Sequence, residues 1–162
     1  MIFVTVGTHE QGFNRLVKFM DEYAETTDEE VIIQEGYSSY PAENSTVVDF
    51  VSYARMAELI SKARIVITHG GPATFLSVID AGKKPIVVPR MKKFSEHVND
   101  HQLDFAKKMV DVTGNLYVVT EVSEIPTLMN GSDFAVDTTR VGAESDSFVE
   151  RFEALLTNLI QR

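Results

Sequence analysis

The sequence contains no cysteine, so neither a disulfide bond nor thiolate chemistry is available to it. It also has no apolar run near the roughly 20 residues that a membrane-spanning helix requires. Residues Met1 to Gly7 lack the basic segment of a secretory signal peptide and have the pattern of a buried strand. We therefore expect no signal peptide, and the composition fits a reducing cytoplasm.

Basic residues are the second shortage, because 15 Lys and Arg stand against 24 Asp and Glu, for a net charge of −9. A strongly negative protein is repelled by nucleic-acid phosphates and by anionic lipid surfaces. The hydrophobic fraction of 44% is ordinary for a globular protein, and 162 residues suffice for one domain with a core. We expect a single domain that binds no nucleic acid.

Several catalytic motifs are also missing. The sequence has no Gly-x-Ser-x-Gly elbow, no P-loop and no Asp-x-Asp pair of the kind that carries a metal-nucleotide complex. His97 and His101 are four residues apart and would share a helix face, as two metal ligands do, but no Glu completes the zinc-protease arrangement. The sequence therefore predicts no resident metal.

Short apolar segments alternate with amphipathic segments along most of the chain. The apolar ones predict six strands: Ile2 to Val6, Val31 to Gln34, Thr46 to Val51, Ile65 to Thr68, Ile86 to Val88 and Leu116 to Val119. Helices are predicted near residues 13–24 and at 53–62, 73–81, 97–110 and 122–129. This alternation predicts an α/β fold, a Rossmann-like parallel sheet flanked by helices on both faces.

The end of the chain has a different pattern. Residues 1–130 form the predicted domain, and the polar residues 131–146 predict a linker. Residues 147–162 carry an apolar stripe, which predicts a final amphipathic helix. That helix either packs on its own sheet or docks on a partner.

The most informative motif is His69-Gly70-Gly71-Pro72-Ala73-Thr74, which joins the fourth predicted strand to a helix. In an open α/β sheet, ligands bind where strands end and helices begin. Glycines allow close backbone approach, and the helix start offers N–H groups to an anion. His69 and Thr74 can add side-chain donors, so the motif predicts a nucleotide-diphosphate site. The structural alternative is a capped helix with a packed histidine.

Gly7, Thr8 and His9 follow the first strand in the same way. A glycine turn there can present backbone N–H groups to a phosphate. The alternative is a tight turn that leaves His9 exposed.

A polar, histidine-rich segment follows the fifth strand and supplies paired donors and acceptors, which suit sugar hydroxyls. The candidate sugar-binding residues are Glu96, His97, Asn99, Asp100, His101 and Gln102. They also fit an ordinary polar helix start. Arg90, Lys92 and Lys93 form a basic cluster just before them, which either neutralises phosphate or is simply solvated.

Together these motifs resemble the C-terminal domain of family 28 glycosyltransferases, over about residues 1–125. The resemblance is carried by Phe3 to His9, Phe13 to Leu16, Thr68 to Phe75, Pro85 to Arg90, Lys92 to Phe94 and Glu96 to Gln102. It is strongest to the catalytic subunit of split bacterial polysaccharide glycosyltransferases. That subunit is similar to the soluble half of the enzyme that adds the second N-acetylglucosamine to dolichol-diphosphate.

The resemblance implies the C-terminal half of a two-Rossmann GT-B enzyme that binds a UDP-sugar. It implies inverting, metal-independent transfer of a hexose, with galactose and a β-1,4 linkage favoured, in capsular or exopolysaccharide synthesis. The acceptor would be a lipid-diphosphate-linked saccharide held by a separate membrane-anchored subunit. The chain would then be cytoplasmic and peripheral to the inner face of the membrane, and it would need no cofactor beyond the UDP-sugar substrate.

The resemblance also assigns residues. The implied nucleotide and diphosphate contacts are Gly7, Thr8, Val51, Ser52, His69, Gly70, Gly71, Thr74 and Ser77, with Phe50 also near uracil. Ser77 stands where many relatives have a ribose-binding Glu, so either Asp80 replaces that Glu or the ribose is held loosely. The catalytic base lies in the acceptor half, or His9 serves locally.

Other functions stay open at this stage. One alternative is a non-catalytic nucleotide-binding or regulatory subunit. Another is a sugar-nucleotide epimerase of the GT-B type, although those enzymes carry both Rossmann halves in one chain. A third is an interaction protein that uses its acidic surface and the final helix.

Overall fold

The computed structural model describes residues 1–134 of the chain. Its six strands are β1 Ile2–Thr5, β2 Val31–Gln34, β3 Thr46–Val48, β4 Ile65–His69, β5 Ile86–Val88 and β6 Tyr117–Val118. They form one sheet in the order β3-β2-β1-β4-β5-β6, and every pairing is parallel. The predicted α/β fold with a Rossmann-like parallel sheet is therefore confirmed.

Four α-helices lie between strands: α1 Asn14–Ala24, α2 Tyr53–Lys62, α3 Pro72–Asp80 and α4 His101–Thr113. Within residues 1–134, a fifth helix, α5 Ile125–Met129, follows β6. Short 3₁₀ turns lie at Lys92–Phe94, Val122–Glu124 and Ser132–Phe134. None of the helices in residues 1–134 combines the length and the apolar character needed to cross a membrane.

The sheet is buried on both faces because helices cover each side. Successive side chains of a strand point to opposite faces, so Ile2 and Val4 pack with α1 and α5, whereas Phe3 packs with α2. A third apolar cluster joins α3 and α4 beside Val87. Every residue of β1, β2, β4 and β5 is buried, which explains why these strands are almost continuously apolar.

The predicted helix over residues 97–110 was wrong at its start, because α4 begins only at His101. Short polar side chains before it bond to nearby backbone: His97 Nδ1 accepts from Asn99 N (3.3 Å), and Asp100 Oδ1 accepts from Lys92 N (2.8 Å). Such local bonds compete with helix formation. Val98, which falls within the predicted helix, lies in this segment and is 70% exposed.

Two other boundaries also differ from the expectation. β3 ends at Val48, so residues 49–51 leave the sheet before α2. The folded unit continues through Phe134, which is buried and contacts the Tyr117 ring at 5.7 Å between centroids. The rest of the predicted linker and the predicted final helix, residues 147–162, lie outside the described residues.

A buried carboxylate anchors the long connection between β2 and β3. Asp21 in α1 is 1% exposed and accepts bonds from Glu43 N, Asn44 N and Nδ2, and Ser45 N and Oγ at 2.7–3.2 Å. Burial by itself raises the pKa of this carboxyl, but the Ser45, Asn44 and Glu43 bonds outweigh it, and the pKa lies below its ordinary value.

We expect Asp21→Ala to lower the free energy of unfolding by about 2–4 kcal/mol, because several donors lose a charged acceptor. Urea denaturation at neutral pH measures this loss. The exposed neighbour Glu22, 3.8 Å from Lys18, provides the control, since Glu22→Ala should cost less than about 0.5 kcal/mol.

The pH dependence supplies a second readout of the same anchor. Because the pKa of Asp21 is lowered on folding, its contribution is complete at neutral pH and declines as the pH falls below the unfolded value of 3.8. Asp21→Asn should therefore flatten the acid limb of the stability curve. An equal loss from Asp21→Ala and Glu22→Ala would contradict the anchoring role.

Candidate functional site

A cleft of about 310 Å³ opens at the carboxyl edge of the sheet, beside β1 and β4. The strand order reverses between these two strands, and such switch points are where open α/β sheets bind ligands. The lining residues are Thr5, Gly7, Thr8, Gln34, Phe50, Val51, Met56, His69, Gly71, Pro72, Ala73 and Thr74. The structure therefore brings the two predicted glycine turns into one site.

The His69 ring lies between two glycines at the centre of this cleft. A Cβ added to Gly7 would lie 2.4 Å from the His69 Cε1 atom, and one added to Gly71 would lie 2.2 Å from Nε2. Gly7 also has a φ of +77°, which side chains other than glycine rarely adopt. Both positions therefore require glycine, and the ring is held in one place.

The position of His69 determines its charge. The side chain is only 8% exposed, and this burial, reinforced by the nearby positive charge of Arg90, lowers its pKa to about 4. The imidazole is therefore neutral at pH 7. A neutral ring in this place can donate one hydrogen bond to a ligand oxygen without carrying a charge.

Gln34, the last residue of β2, fixes the Gly7 turn from the side. Its Oε1 accepts from Thr5 Oγ1 (2.6 Å) and Gly7 N (3.2 Å), while its Nε2 donates to Gly7 O (3.2 Å) and Asp49 O (2.8 Å). Gln34 was not among the predicted site residues. One sequence feature could have indicated its role: Gln34 is a polar residue at the end of an otherwise apolar strand.

The N-terminus of α3 faces the cleft through Pro72, Ala73 and Thr74. Gly71 caps the helix without a side-chain bond, and Pro72 occupies the first turn, where its missing N–H is not needed. This end of a helix carries partial positive charge and favours anions. The uncharged His69 ring and the start of α3 therefore line the same cleft.

Charged side chains are absent from this lining. Among residues 1–134, those that border the cleft include no Asp, Glu, Lys or Arg. The same part of the chain holds no group of three His, Asp or Glu side chains placed to bind a metal ion. Donors to an anion in this cleft are therefore hydroxyls, the imidazole and backbone N–H groups.

Glu96, a candidate for sugar contact, is 4% exposed and pairs with Arg15 instead. Arg15 Nε and Nη2 donate to its two oxygens at 2.8 and 3.0 Å, and Met91 N donates at 3.2 Å. Arg15 also donates to Thr120 O at 3.0 Å. Glu96 thus fastens the loop after β5 to α1, and its carboxylate is already occupied.

The other candidate sugar contacts lie around the start of α4 and outside the lining of the cleft. Gln102 Oε1 accepts from Gly70 N and Arg90 N, both at 3.1 Å, so it ties the loop after β4 to the loop after β5. Asn99 Oδ1 accepts from His101 N at 3.2 Å. Of this set, His101 and Asp100 are exposed and His97 and Asn99 partly so.

His9 and His97 form a pair beside the cleft, with ring centroids 4.9 Å apart. Nδ1 of His9 accepts from Gln11 N at 3.2 Å. Desolvation, followed by the charges of Arg90 and His97, lowers the pKa of His9, so its ring is neutral at pH 7. Because Nδ1 accepts the bond from Gln11 N, the single proton of the neutral ring lies on Nε2, which can donate a hydrogen bond.

The positions expected near uracil and ribose are only partly in the cleft. Phe50 and Val51 line it, whereas Ser52 caps α2 by accepting from Arg55 N at 3.2 Å. Ser77 Oγ donates to Thr74 O at 2.6 Å. Asp80 is exposed at the last residue of α3, six residues beyond Thr74 or about 9 Å along the axis. It does not border the cleft.

The predicted basic cluster was wrong for Arg90, which is fully buried. Its guanidinium donates hydrogen bonds to the backbone carbonyls of Val6, Gln11 and Gly12. Lys92 and Lys93 are exposed, and Lys93 pairs with Glu121 at 2.9 Å. The three basic residues are close in sequence, so the sequence alone could not show that Arg90 is buried while Lys92 and Lys93 lie on the surface.

Comparison with solved structures gives the same architecture. The glycosyltransferase SnogD from Streptomyces nogalater matches 82% of this chain and 35% of its own, at 20% identity and a TM-score of 0.56. MurG from Acinetobacter baumannii matches 78% of this chain and 41% of its own, at 23% identity and a TM-score of 0.54. The spinosyn forosaminyltransferase SpnP matches 96% and 43%, at 15% identity and a TM-score of 0.58.

These likenesses establish the fold of a GT-B C-terminal half, and the chain spans less than half the length of each of the three structures. No curated protein matches the chain. A sequence model of the glycosyltransferase family 28 C-terminal domain matches residues 1–127, which include every strand and the whole cleft. The chain therefore belongs to glycosyltransferase family 28, through the C-terminal domain of that family.

Proposed function

We propose that this chain binds the UDP-sugar donor of an inverting glycosyltransferase in the cleft beside β1 and β4. One observation carries the proposal: a neutral His69 ring is held between Gly7 and Gly71 at the start of α3, in a lining without carboxylates. Neutral and backbone donors around a glycine-rich opening suit a diphosphate. The family assignment makes a nucleotide-sugar the natural ligand.

In this proposal the diphosphate lies over the α3 N-terminus. His69 donates to a phosphate oxygen, and Thr74 and the turn at Gly7 and Thr8 add further donors. Uracil lies against Phe50 and Val51. The volume of about 310 Å³ is at the lower end for ligand pockets, so a second domain would complete the site.

The ribose would be held without a carboxylate. Ser77 offers only a hydroxyl, which already donates to Thr74 O, and Asp80 lies at the far end of α3. A serine oxygen accepts a weaker bond than a carboxylate does. We therefore propose loose binding of the ribose by the isolated chain, with the diphosphate as the main source of affinity.

The chemistry would be a single displacement. A base removes the proton from an acceptor hydroxyl, whose oxygen attacks the anomeric carbon as the bond to the diphosphate breaks. The charge of the departing UDP is stabilised by the α3 N-terminus and His69 instead of a metal. His9 is the local candidate for the base, through Nδ1 once that atom is released from its bond with Gln11 N, and the acceptor half is the alternative source.

The sugar would lie toward the segment between β5 and α4, where His97, Asn99 and His101 keep exposed polar atoms. Galactose, transferred to form a β-1,4 linkage, is our favoured donor sugar. The other half of the enzyme is proposed to be a membrane-anchored subunit that binds a lipid-diphosphate-linked saccharide. The chain would then act at the cytoplasmic face of the membrane, in the synthesis of capsular or exopolysaccharide.

We expect the full chain to bind UDP and UDP-galactose more tightly than ADP, with equal affinity in EDTA and in Mg²⁺. His69→Ala should weaken UDP binding by about tenfold or more, because it removes a hydrogen bond to a charged group. Isothermal titration calorimetry with UDP, UDP-galactose, UDP-glucose, UDP-N-acetylglucosamine and ADP measures these affinities and ranks the sugars.

Met129→Ala is the matched control, since it also removes a buried side chain but lies in α5, away from the cleft lining. It should leave the affinity within about twofold of the wild type, because distant sites act independently. Failure of the wild-type chain to bind any of the uridine nucleotides would instead favour an interaction protein. Binding without transferase activity beside the acceptor half would favour a regulatory subunit.

We expect the affinity for UDP-galactose to stay constant between about pH 6 and about pH 8. A pKa of about 4 leaves His69 uncharged throughout this range, so it acts as a neutral donor. An imidazolium would instead lose affinity as the pH rose through its ordinary value of 6.5. Calorimetry across the range separates the two forms, and His97→Gln shows whether the neighbouring ring causes any slope that remains.

A further inference from the structure

Arg90 is a fully buried cation with no carboxylate bonded to it among the described residues. Glu96 raises the pKa of Arg90 through its charge, but both of its oxygens are bonded to Arg15. The guanidinium lies 4.7 Å from the centre of the Phe13 ring, and its Nε atom is buried without a partner. Burying a charge without a partner of opposite charge lowers the stability of the folded protein, unless a ligand compensates the charge.

All the bonds of the guanidinium go to one loop. Nη2 donates to Val6 O at 2.9 Å, and Nη1 donates to Gln11 O at 2.7 Å and Gly12 O at 3.1 Å. These three carbonyls bracket the turn between β1 and α1, which carries Gly7, Thr8 and His9. The planar fork of arginine can hold both ends of such a turn at once, which a point charge cannot do.

The backbone of Arg90 is connected to the second glycine turn. Gln102 Oε1 accepts from Arg90 N and from Gly70 N, both at 3.1 Å. One residue therefore links the loops after β1 and β5 directly and the loop after β4 through Gln102. The loops after β1 and β4 line the cleft, and the loop after β5 is bonded to both of them.

The charge of Arg90 is felt in the cleft as well. Burial lowers the pKa of the guanidinium to about 10, which leaves it charged at pH 7. That charge contributes, after desolvation, to the lowered pKa of both His69 and His9. Its field therefore reaches His69 in the cleft and His9 beside it.

We propose that Arg90 is a positioning residue for the donor diphosphate: it fixes the turn at Gly7 and supplies an uncompensated positive charge behind that turn. The residue does not touch the ligand and acts through the turn and through its field. A bound diphosphate provides the negative charge near Arg90 that no carboxylate bonded to it supplies among the described residues. This inference rests on the proposed function, because it needs an anionic ligand in the cleft.

The test compares Arg90→Met, which removes the charge, with Arg90→Lys, which keeps the charge but loses the fork. Arg64→Met is the matched control. Arg64 directly precedes β4, at the amino edge of the sheet and away from the cleft, and its guanidinium pairs with Glu29. Calorimetry measures the affinity of the full-length chain for UDP and for uridine, which lacks the diphosphate. NMR titration of the histidine ring protons measures the pKa of His69 and His9.

We expect Arg90→Met to weaken UDP binding by roughly tenfold, as the loss of one nearby cation does in a partly wet site, and to change uridine binding by less than about twofold. The pKa of His69 should rise toward 6.5 in Arg90→Met. Arg90→Lys should preserve the ratio of UDP to uridine affinity and the pKa of His69, while weakening both ligands modestly. Arg64→Met should change neither ratio nor pKa.

A parallel loss of UDP and uridine affinity in Arg90→Met, with an unchanged pKa of His69, would overturn the electrostatic role and leave only support of the turn. If Arg90→Met does not fold, as judged by circular dichroism, Arg90→Gln replaces it, and Arg90→Lys still decides whether charge without the fork preserves the ratio. Wild-type binding with no effect of Arg90→Met refutes this inference alone. Absence of wild-type binding to UDP refutes the proposed function and this inference together.

Discussion

The contact on which the cleft depends is the packing of one imidazole ring between two glycines. His69 ends β4, Gly7 follows β1, and Gly71 begins α3, so the contact joins two loops on either side of the point where the strand order reverses. Because a Cβ at either glycine would overlap the ring, both positions must be glycine while His69 is present. The same close packing excludes water from the ring and makes it neutral, so geometry and charge have one cause.

Around this contact, buried polar side chains form the hydrogen bonds with loop backbone that strand pairing and helix bonds supply elsewhere in the fold. A loop at the edge of a sheet has backbone groups that no ladder satisfies, and each needs a partner when it is buried. Gln34 satisfies the turn at Gly7, Gln102 joins two other loops, and Arg15 with Glu96 secures the segment after β5. Side-chain hydrogen bonds therefore hold these loops together beyond the point where the strand pairing ends.

The fold could be predicted from the sequence because it depends on periodic burial, which the residues record directly. All six strands and the glycine turns of the cleft were located in advance, and the contacts among them follow from a parallel sheet. The roles of Arg90, Glu96 and Gln102 could not be predicted in the same way. Each is a polar residue in a polar segment, and only tertiary contacts show that it is bound to another loop. Local side-chain bonds likewise delayed the start of α4.

An acidic protein that binds an anionic ligand must concentrate its positive potential where the ligand lies. The net charge of −9 opposes the approach of a diphosphate, but at physiological ionic strength this repulsion is screened beyond about 8 Å. Inside that distance the proposed ligand would meet the start of α3, a neutral His69 and the field of Arg90, with no carboxylate among the residues that line the described cleft. An unpaired Glu96 carboxylate would lower the positive potential near the cleft. Its pairing with Arg15 neutralises that negative charge. Selectivity for an anion can thus reside in a few buried groups while the surface stays negative.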